Sequence, residues 1–197
     1  MTRKILVYTV FMVASLIAVF STHAQKLVYR IDYKEDSIGY MIARKSLSNN
    51  KVTYELETRA KFSLVLSFNH AAYYKAEYEN DVLTASLSED FLNEKEQSKT
   101  TATLEQGRYT IKKDDQIKTE SSPIHESIAY LYFNAPLKAE IFSEKHGQFC
   151  SIRQVSSNKY ELIKPDERIN VYYFKNGLCH KVEVNTSMAT VYLTRIK

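Results

Sequence analysis

The side chains best suited to metal binding or nucleophilic chemistry are few. Beyond residue 24 the histidines are His70, His125, His146 and His180, and the cysteines are Cys150 and Cys179. No histidine has a second His, a Cys or a carboxylate at metal-ligand spacing. The cysteines are separated by 28 residues and form no metal motif. Glu126 follows His125, but adjacent helical residues do not face each other, so the pair is no dyad. The sequence contains no GxGxxG, Walker, HExxH, GxSxG or CxxC pattern. Asp114-Asp115 and Glu94-Lys95-Glu96 read as solvated charges. The chain therefore reads as non-enzymatic, with no cofactor and no metal.

Tyrosine is the remaining candidate for function. There are 15, against 9 Phe and no Trp. Tyr29, Tyr40, Tyr54, Tyr74 and Tyr78 fall on apolar faces of alternating segments. An aromatic body with a polar tip suits an amphiphile site, and it equally fills the core of a small barrel. The run from Phe62 to Phe68 is nearly continuously apolar and reads either as core or as an apolar rim. The candidate ligand-lining set is Tyr29, Tyr40, Tyr54, Phe62, Leu64, Leu66, Tyr74 and Tyr78.

These residues must be positioned by strands. Period-two alternation dominates, as in Leu27, Tyr29, Ile31, Tyr33, and the abundant Tyr, Val, Ile and Thr suit pleated surfaces. With 4 Gly and 3 Pro, the turns fall to Asn and Asp, which tolerate positive φ. Hairpin arithmetic fixes expected registers. A loop at Asn176-Gly177 sets Tyr173 against His180 and Val171 against Val182. That places His180 inward, as a buried base or a core imidazole bonded to a tyrosine, and Cys179 outward with Lys181 and Glu183. A loop at Gln106-Gly107 sets Leu104 against Tyr109 and Ala102 against Ile111. One at Asn80-Asp81 sets Tyr78 against Leu83 and Ala76 against Ala85. One at Glu35-Asp36 sets Ile31 against Tyr40. At Asn49-Asn50 a two-residue loop would set Ile42 against Glu57, so a three-residue loop from Ser48 is preferred. These hairpins predict an all-β antiparallel meander of about ten strands, curled into a barrel or half-barrel.

Ser122 as a cap, Pro123 at the first helical position, and apolar Ile124, Ile128, Leu131 and Tyr132 predict one short helix over 123–133. Two strands come between Cys150 and Cys179 in such a meander. The separation of about 14 Å exceeds the reach of a disulfide, unless closure or another strand order brings them together.

Residues 1–24 have the layout of a secretory signal: Arg3-Lys4, an apolar run from Ile5 to Phe20, and small residues before Gln25. The run is too short for a spanning helix, and no comparable stretch follows. The expectation is a signal peptide over 1–24 and one β domain over 25–197, located in the periplasm or secreted. The charge balance, 27 basic against 23 acidic, falls to 25 against 23 without Arg3 and Lys4, too even to argue for nucleic acid. The outward positions carry many Lys, Glu, Asp and Arg, which argues against a lipid-facing outer-membrane barrel.

Leu27-Val28-Tyr29-Arg30-Ile31 through Ser37-Ile38-Gly39, the segment Leu131 to Pro136 and the segment Asn170 to Gly177 carry a resemblance. Together with the export signal they make the chain similar to the exported β-rich domains of unknown function of Gram-negative bacteria. Those resemble in architecture the half-barrels of lipoprotein carriers, which hold acyl chains on a concave sheet. The resemblance implies a lipid-like ligand and no catalytic residue. The functional expectation is an envelope protein binding an apolar or amphiphilic molecule. The alternative is a structural or protein-interaction module with a packed core.

Overall fold

Among the described residues alternation produces fourteen strands, where the sequence predicts about ten, in one antiparallel sheet. The first run is β1 (His23–Tyr33), β2 (Asp36–Ser48), β3 (Lys51–Ser63), β4 (Ser67–Glu79), β5 (Val82–Leu92), β6 (Lys95–Glu105), β7 (Arg108–Lys113) and β8 (Gln116–Glu120). The second is β9 (Glu140–Ser143), β10 (Gln148–Ser156), β11 (Lys159–Ile163), β12 (Ile169–Lys175), β13 (Leu178–Asn185) and β14 (Thr190–Arg195). The computed structural model describes residues 23–63, 67–187 and 189–197. Residues 1–22 of the expected signal peptide, and Leu64 and Leu66 of the candidate set, lie outside the described residues.

Each strand pairs with its neighbour in sequence, and β1 also pairs with β14, so the two runs join in mid-sheet and β8 and β9 are the edges. At about 4.8 Å per strand such a sheet would be roughly 60 Å wide if flat, so it curls to cover its own apolar face. No ladder joins β8 to β9, and the curl is not closed by hydrogen-bonded strands. The β9–β10 turn bridges the gap instead. Thr100 Oγ1 donates to the Lys145 carbonyl at 3.0 Å, and Lys145 Nζ lies 3.0 Å from Asp90 Oδ2. Gly147 sits at φ +61°, and a Cβ there would approach Ile111 Cγ2 to 2.8 Å. Glycine is required at that junction by both backbone conformation and space.

The turns are the tight hairpins that Asn and Asp permit. Both central residues have positive φ at Asn80-Asp81, Asn93-Glu94, Gln106-Gly107 and Asn176-Gly177, as the right-handed twist of flanking strands demands. Register agrees fully at Gln106-Gly107, where Leu104 faces Tyr109 and Ala102 faces Ile111. At the other four expected hairpins it slips by one residue. Tyr78 faces Leu83, but a bulge then sets Ala76 against Ser86 and turns Ser86, Ser88 and Asp90 inward. Phe174 faces Cys179, but a bulge then sets Tyr173 against Lys181 and Val171 against Glu183. Cys179 is consequently buried and His180 is not, the reverse of expectation. In the first hairpin the turn is one residue earlier and Ile31 faces Gly39. The inward set of β2 is therefore Met41 and Ala43, and the two-residue loop at Asn49-Asn50 forms with Ile42 against Glu57. Each correction has one cause: a single inserted residue exchanges the two faces of a strand.

The outer face carries the charges. Arg44 and Arg59 reach Glu57, Lys99 reaches Glu89, and Arg153 reaches Glu161. Among the described residues no helix is long and apolar enough to cross a membrane. Cys150 and Cys179 are buried and unbridged. Burial pushes their thiols up, to about 11 and about 12 respectively, which keeps both in the unreactive protonated form.

Between β8 and β9 the chain runs through the interior. The expected helix over 123–133 is only a 3-10 turn at Tyr130–Tyr132. Ile124, Glu126, Ser127, Ala129, Leu131, Tyr132 and Phe133 are all buried. The apolar spacing thus did not mark one stripe of a helix with a solvated back. It belongs to a segment surrounded by sheet, extended enough to cross from one edge to the other. Its backbone groups find partners both on the surrounding strands and turns and on its own Glu126. The Ile124 carbonyl accepts from the Leu83 amide at 2.8 Å, and the Ile124 amide donates to Tyr109 Oη at 3.2 Å. Ile128 and Ala129 amides each donate to the Glu144 carboxylate at 3.0 Å. Leu137 and Lys138 amides donate to Glu126.

Candidate functional site

The crossing segment fills one end of the curled sheet and leaves the other end hollow. At the filled end Tyr54 meets Tyr78, Tyr130 and Phe133 with ring centroids 5.6–5.7 Å apart. Tyr29 meets Tyr132 edge-on at 5.3 Å and donates its hydroxyl to the Cys179 carbonyl at 2.7 Å. These are core tyrosines: the Tyr29 hydroxyl is satisfied and Tyr54 Oη accepts from Asn134 Nδ2 at 3.3 Å, whereas the buried Tyr78 hydroxyl has no partner among the described residues.

At the other end lies a cavity of about 390 Å³, within the range of roughly 300–1,000 Å³ typical of ligand sites. Two strands build most of one wall. From β3 come Leu56, Thr58, Ala60 and Phe62, and from β4 come Phe68, His70, Ala72 and Tyr74. These are alternate residues on each strand, so one face of the β3–β4 hairpin makes the wall. Ile31, Met41, Val184, Val191 and Leu193 complete the apolar lining, and Tyr132 and Tyr172 border the filled end. Phe62 and Phe68 are direct cross-strand partners where the hairpin turns, and Tyr33 packs edge-on against Phe62 at 6.4 Å.

Of the candidate lining residues, the structure brings Phe62 and Tyr74 to the cavity. Tyr29, Tyr54 and Tyr78 are in the packed half. Tyr40 is 53% exposed on the outer face, which corrects its inward placement: the bulge opposite Gly39 gives the inward positions of β2 to Met41 and Ala43. The lining that sequence reasoning missed includes Tyr132 and Tyr172, while Phe68 ends the run read there as core or rim.

One polar constellation stands behind the wall. His70 Nε2 lies 3.1 Å from Asp90 Oδ1, and Lys145 Nζ lies 3.0 Å from the other carboxylate oxygen. Asp90 is 3% exposed. Burial raises its carboxyl, but the His70 hydrogen bond and the Lys145 charge outweigh that and hold it below the usual carboxylate value. The sequence signal for this group was the Ser86-x-Ser88-x-Asp90 alternation, which marks a polar inward face once the β4–β5 bulge is allowed. Among the described residues no group of three or more His, Cys, Asp or Glu is placed to hold a metal ion.

Fold and cavity together define a barrel-like antiparallel sheet, open between its edge strands, with an interior plugged at one end. The family model "Domain of unknown function (DUF6134)" matches residues 29–196, and the chain belongs to that family. A crystal structure of a β-barrel-like protein of the domain of unknown function DUF1849 from Brucella abortus is similar in fold, with a TM-score of 0.51 at 8% identity. The likeness covers 89% of this chain and 96% of that one. No curated protein matches.

Proposed function

We propose that the protein is a non-enzymatic envelope protein that holds an apolar or amphiphilic molecule in this cavity. The supporting observation is the cavity itself, whose lining is mostly Leu, Ile, Val, Ala, Met and Phe and which has a built end at Tyr132 and Tyr172. A large apolar hollow forgoes the packing that would stabilise a structural module, and a ligand with an apolar tail restores it. The export part of the proposal draws on the positive start, apolar run and small residues of 1–24.

The test is native mass spectrometry of the full chain produced with export in a Gram-negative host. The expected result is a mature chain starting at Gln25 that carries an adduct extractable into organic solvent. Ala72→Phe, which fills the cavity from β4, should lose the adduct while keeping the wild-type melting curve. A wild-type protein that carries no adduct and takes up neither dodecanoate nor dodecanol would overturn the proposal.

A further inference from the structure

His70 is the only His, Lys, Arg, Asp or Glu among the described residues that line the cavity. It is also the only lining side chain attached to the buried carboxylate that ties β5 to the β9–β10 turn. We propose that His70 is the headgroup anchor of the cavity and that the occupant is a single-chain amphiphile ending in a carboxylate, such as a fatty acid. This rests on the cavity reading above and names the chemistry of its ligand.

The geometry of the ring carries the argument. An ionised carboxylate only accepts hydrogen bonds, so Asp90 Oδ1, 3.1 Å away, fixes the proton of His70 on Nε2. Among the described residues Nδ1 makes no hydrogen bond. The ring belongs to the cavity lining, so Nδ1 is the group available to an occupant. A protonated imidazole donates from both nitrogens, one to Asp90 and one to the ligand, and the second bond is charge-assisted when the ligand head is anionic. Lys145 balances Asp90. When the ring carries both protons the three side chains are net positive, and a second carboxylate is not repelled. A cationic head would meet the Lys145 charge and find no carboxylate among the described lining residues.

Placement along β4 sets the orientation. Phe68 lies beside the turn, His70 comes next on the same face, and Ala72 and Tyr74 follow deeper. Four residues of strand span about 13 Å. An anionic head at His70 leaves that length of apolar wall for the tail, directed toward Tyr132 and Tyr172.

The experiment is displacement of the neutral probe N-phenyl-1-naphthylamine from the full chain by dodecanoate and, separately, by dodecanol, at one pH and ionic strength. The tails are equal and only the heads differ. Dodecanoate is expected to bind at least about tenfold more tightly, the worth of one hydrogen bond to a charged group. His70→Gln should erase that preference, so that dodecanoate and dodecanol bind the variant equally. Equal binding of both ligands by the wild type, or a preference that survives in His70→Gln, overturns the anchor and leaves the cavity reading intact. Displacement by neither ligand overturns both.

Discussion

Ala72 and Ala76 lie on the same face of β4, four residues apart, and their surroundings differ completely. Ala76 is fully buried within the core cluster, where the crossing segment has laid Tyr130 and Phe133 against Tyr54 and Tyr78. Ala72 borders the cavity, beyond the reach of that segment. The strands are the same and so is the alternation. What separates a packed half from a hollow half is where the chain between β8 and β9 runs after it enters the interior. Small residues interlock with rings where a third layer exists, and the same residues leave a void where it does not.

The comparison is broken most forcefully by detaching that layer. Glu144 is fully buried and accepts two amides of the crossing segment. Glu144→Ala leaves the Ala129 amide without a partner and the Ile128 amide with only the Phe142 carbonyl at 3.1 Å, and should cost about 2–4 kcal/mol, read by urea denaturation. A loss below about 1 kcal/mol would mean the segment is held mainly by its apolar side chains.

A pair of enlargements tests the two halves against each other. Ala76→Phe overpacks the filled half and should cost about 1–3 kcal/mol. Ala72→Phe enters free space and should stay within about 1 kcal/mol of wild type. Equal penalties would contradict the division. Thermal melts of both variants at one pH decide the matter.

The smallest expected effect sharpens the comparison through pH. Asp90, behind the hollow half, has its carboxyl held below the ordinary value of 3.8 by His70 and Lys145, despite burial. The folded state releases that proton more readily than the unfolded chain. Its contribution is therefore present above the unfolded value and lost as pH falls through the folded one. Glu144, under the packed half, is shifted the other way, because burial outweighs its backbone donors. Its contribution is full below 4.5 and is lost as pH rises through the folded value. In urea titrations across the acid range, Asp90→Asn should flatten the fall in stability at low pH. Glu144→Gln should gain on wild type as pH rises. Curves that run parallel to wild type for both variants would remove electrostatics from the account.

Much of the fold was legible in the residues. Period-two alternation gave the strands, and Asn-Asp, Gln-Gly and Asn-Gly gave the hairpins where they occur. Register was legible only up to the first bulge. Gly39 was a visible warning, since an isolated glycine within a strand often marks a bulge or a close approach. A Cβ at that position would stand 2.1 Å from the Arg59 carbonyl oxygen. Because the arithmetic assumes no bulge, it places Tyr40 inward, and the structure reverses that.

Sequence by itself determined the all-β meander, the turns at Asn80-Asp81, Gln106-Gly107 and Asn176-Gly177 and the phase of the hairpin at Gln106-Gly107, because these follow from steric and hydrophobic rules acting over a few residues. Tertiary structure decided which tyrosines pack and which line the cavity, and that His70 meets Asp90 and Lys145. Those outcomes depend on one-residue slips between paired strands and on a segment that crosses the interior, and both are settled by contacts between residues far apart in the chain. The spacing of Ile124, Ile128, Leu131 and Tyr132 suits a helix and a buried crossing strand alike. Only the surrounding structure, by burying most of residues 124–133 and accepting the Ile128 and Ala129 amides through Glu144, selects the second.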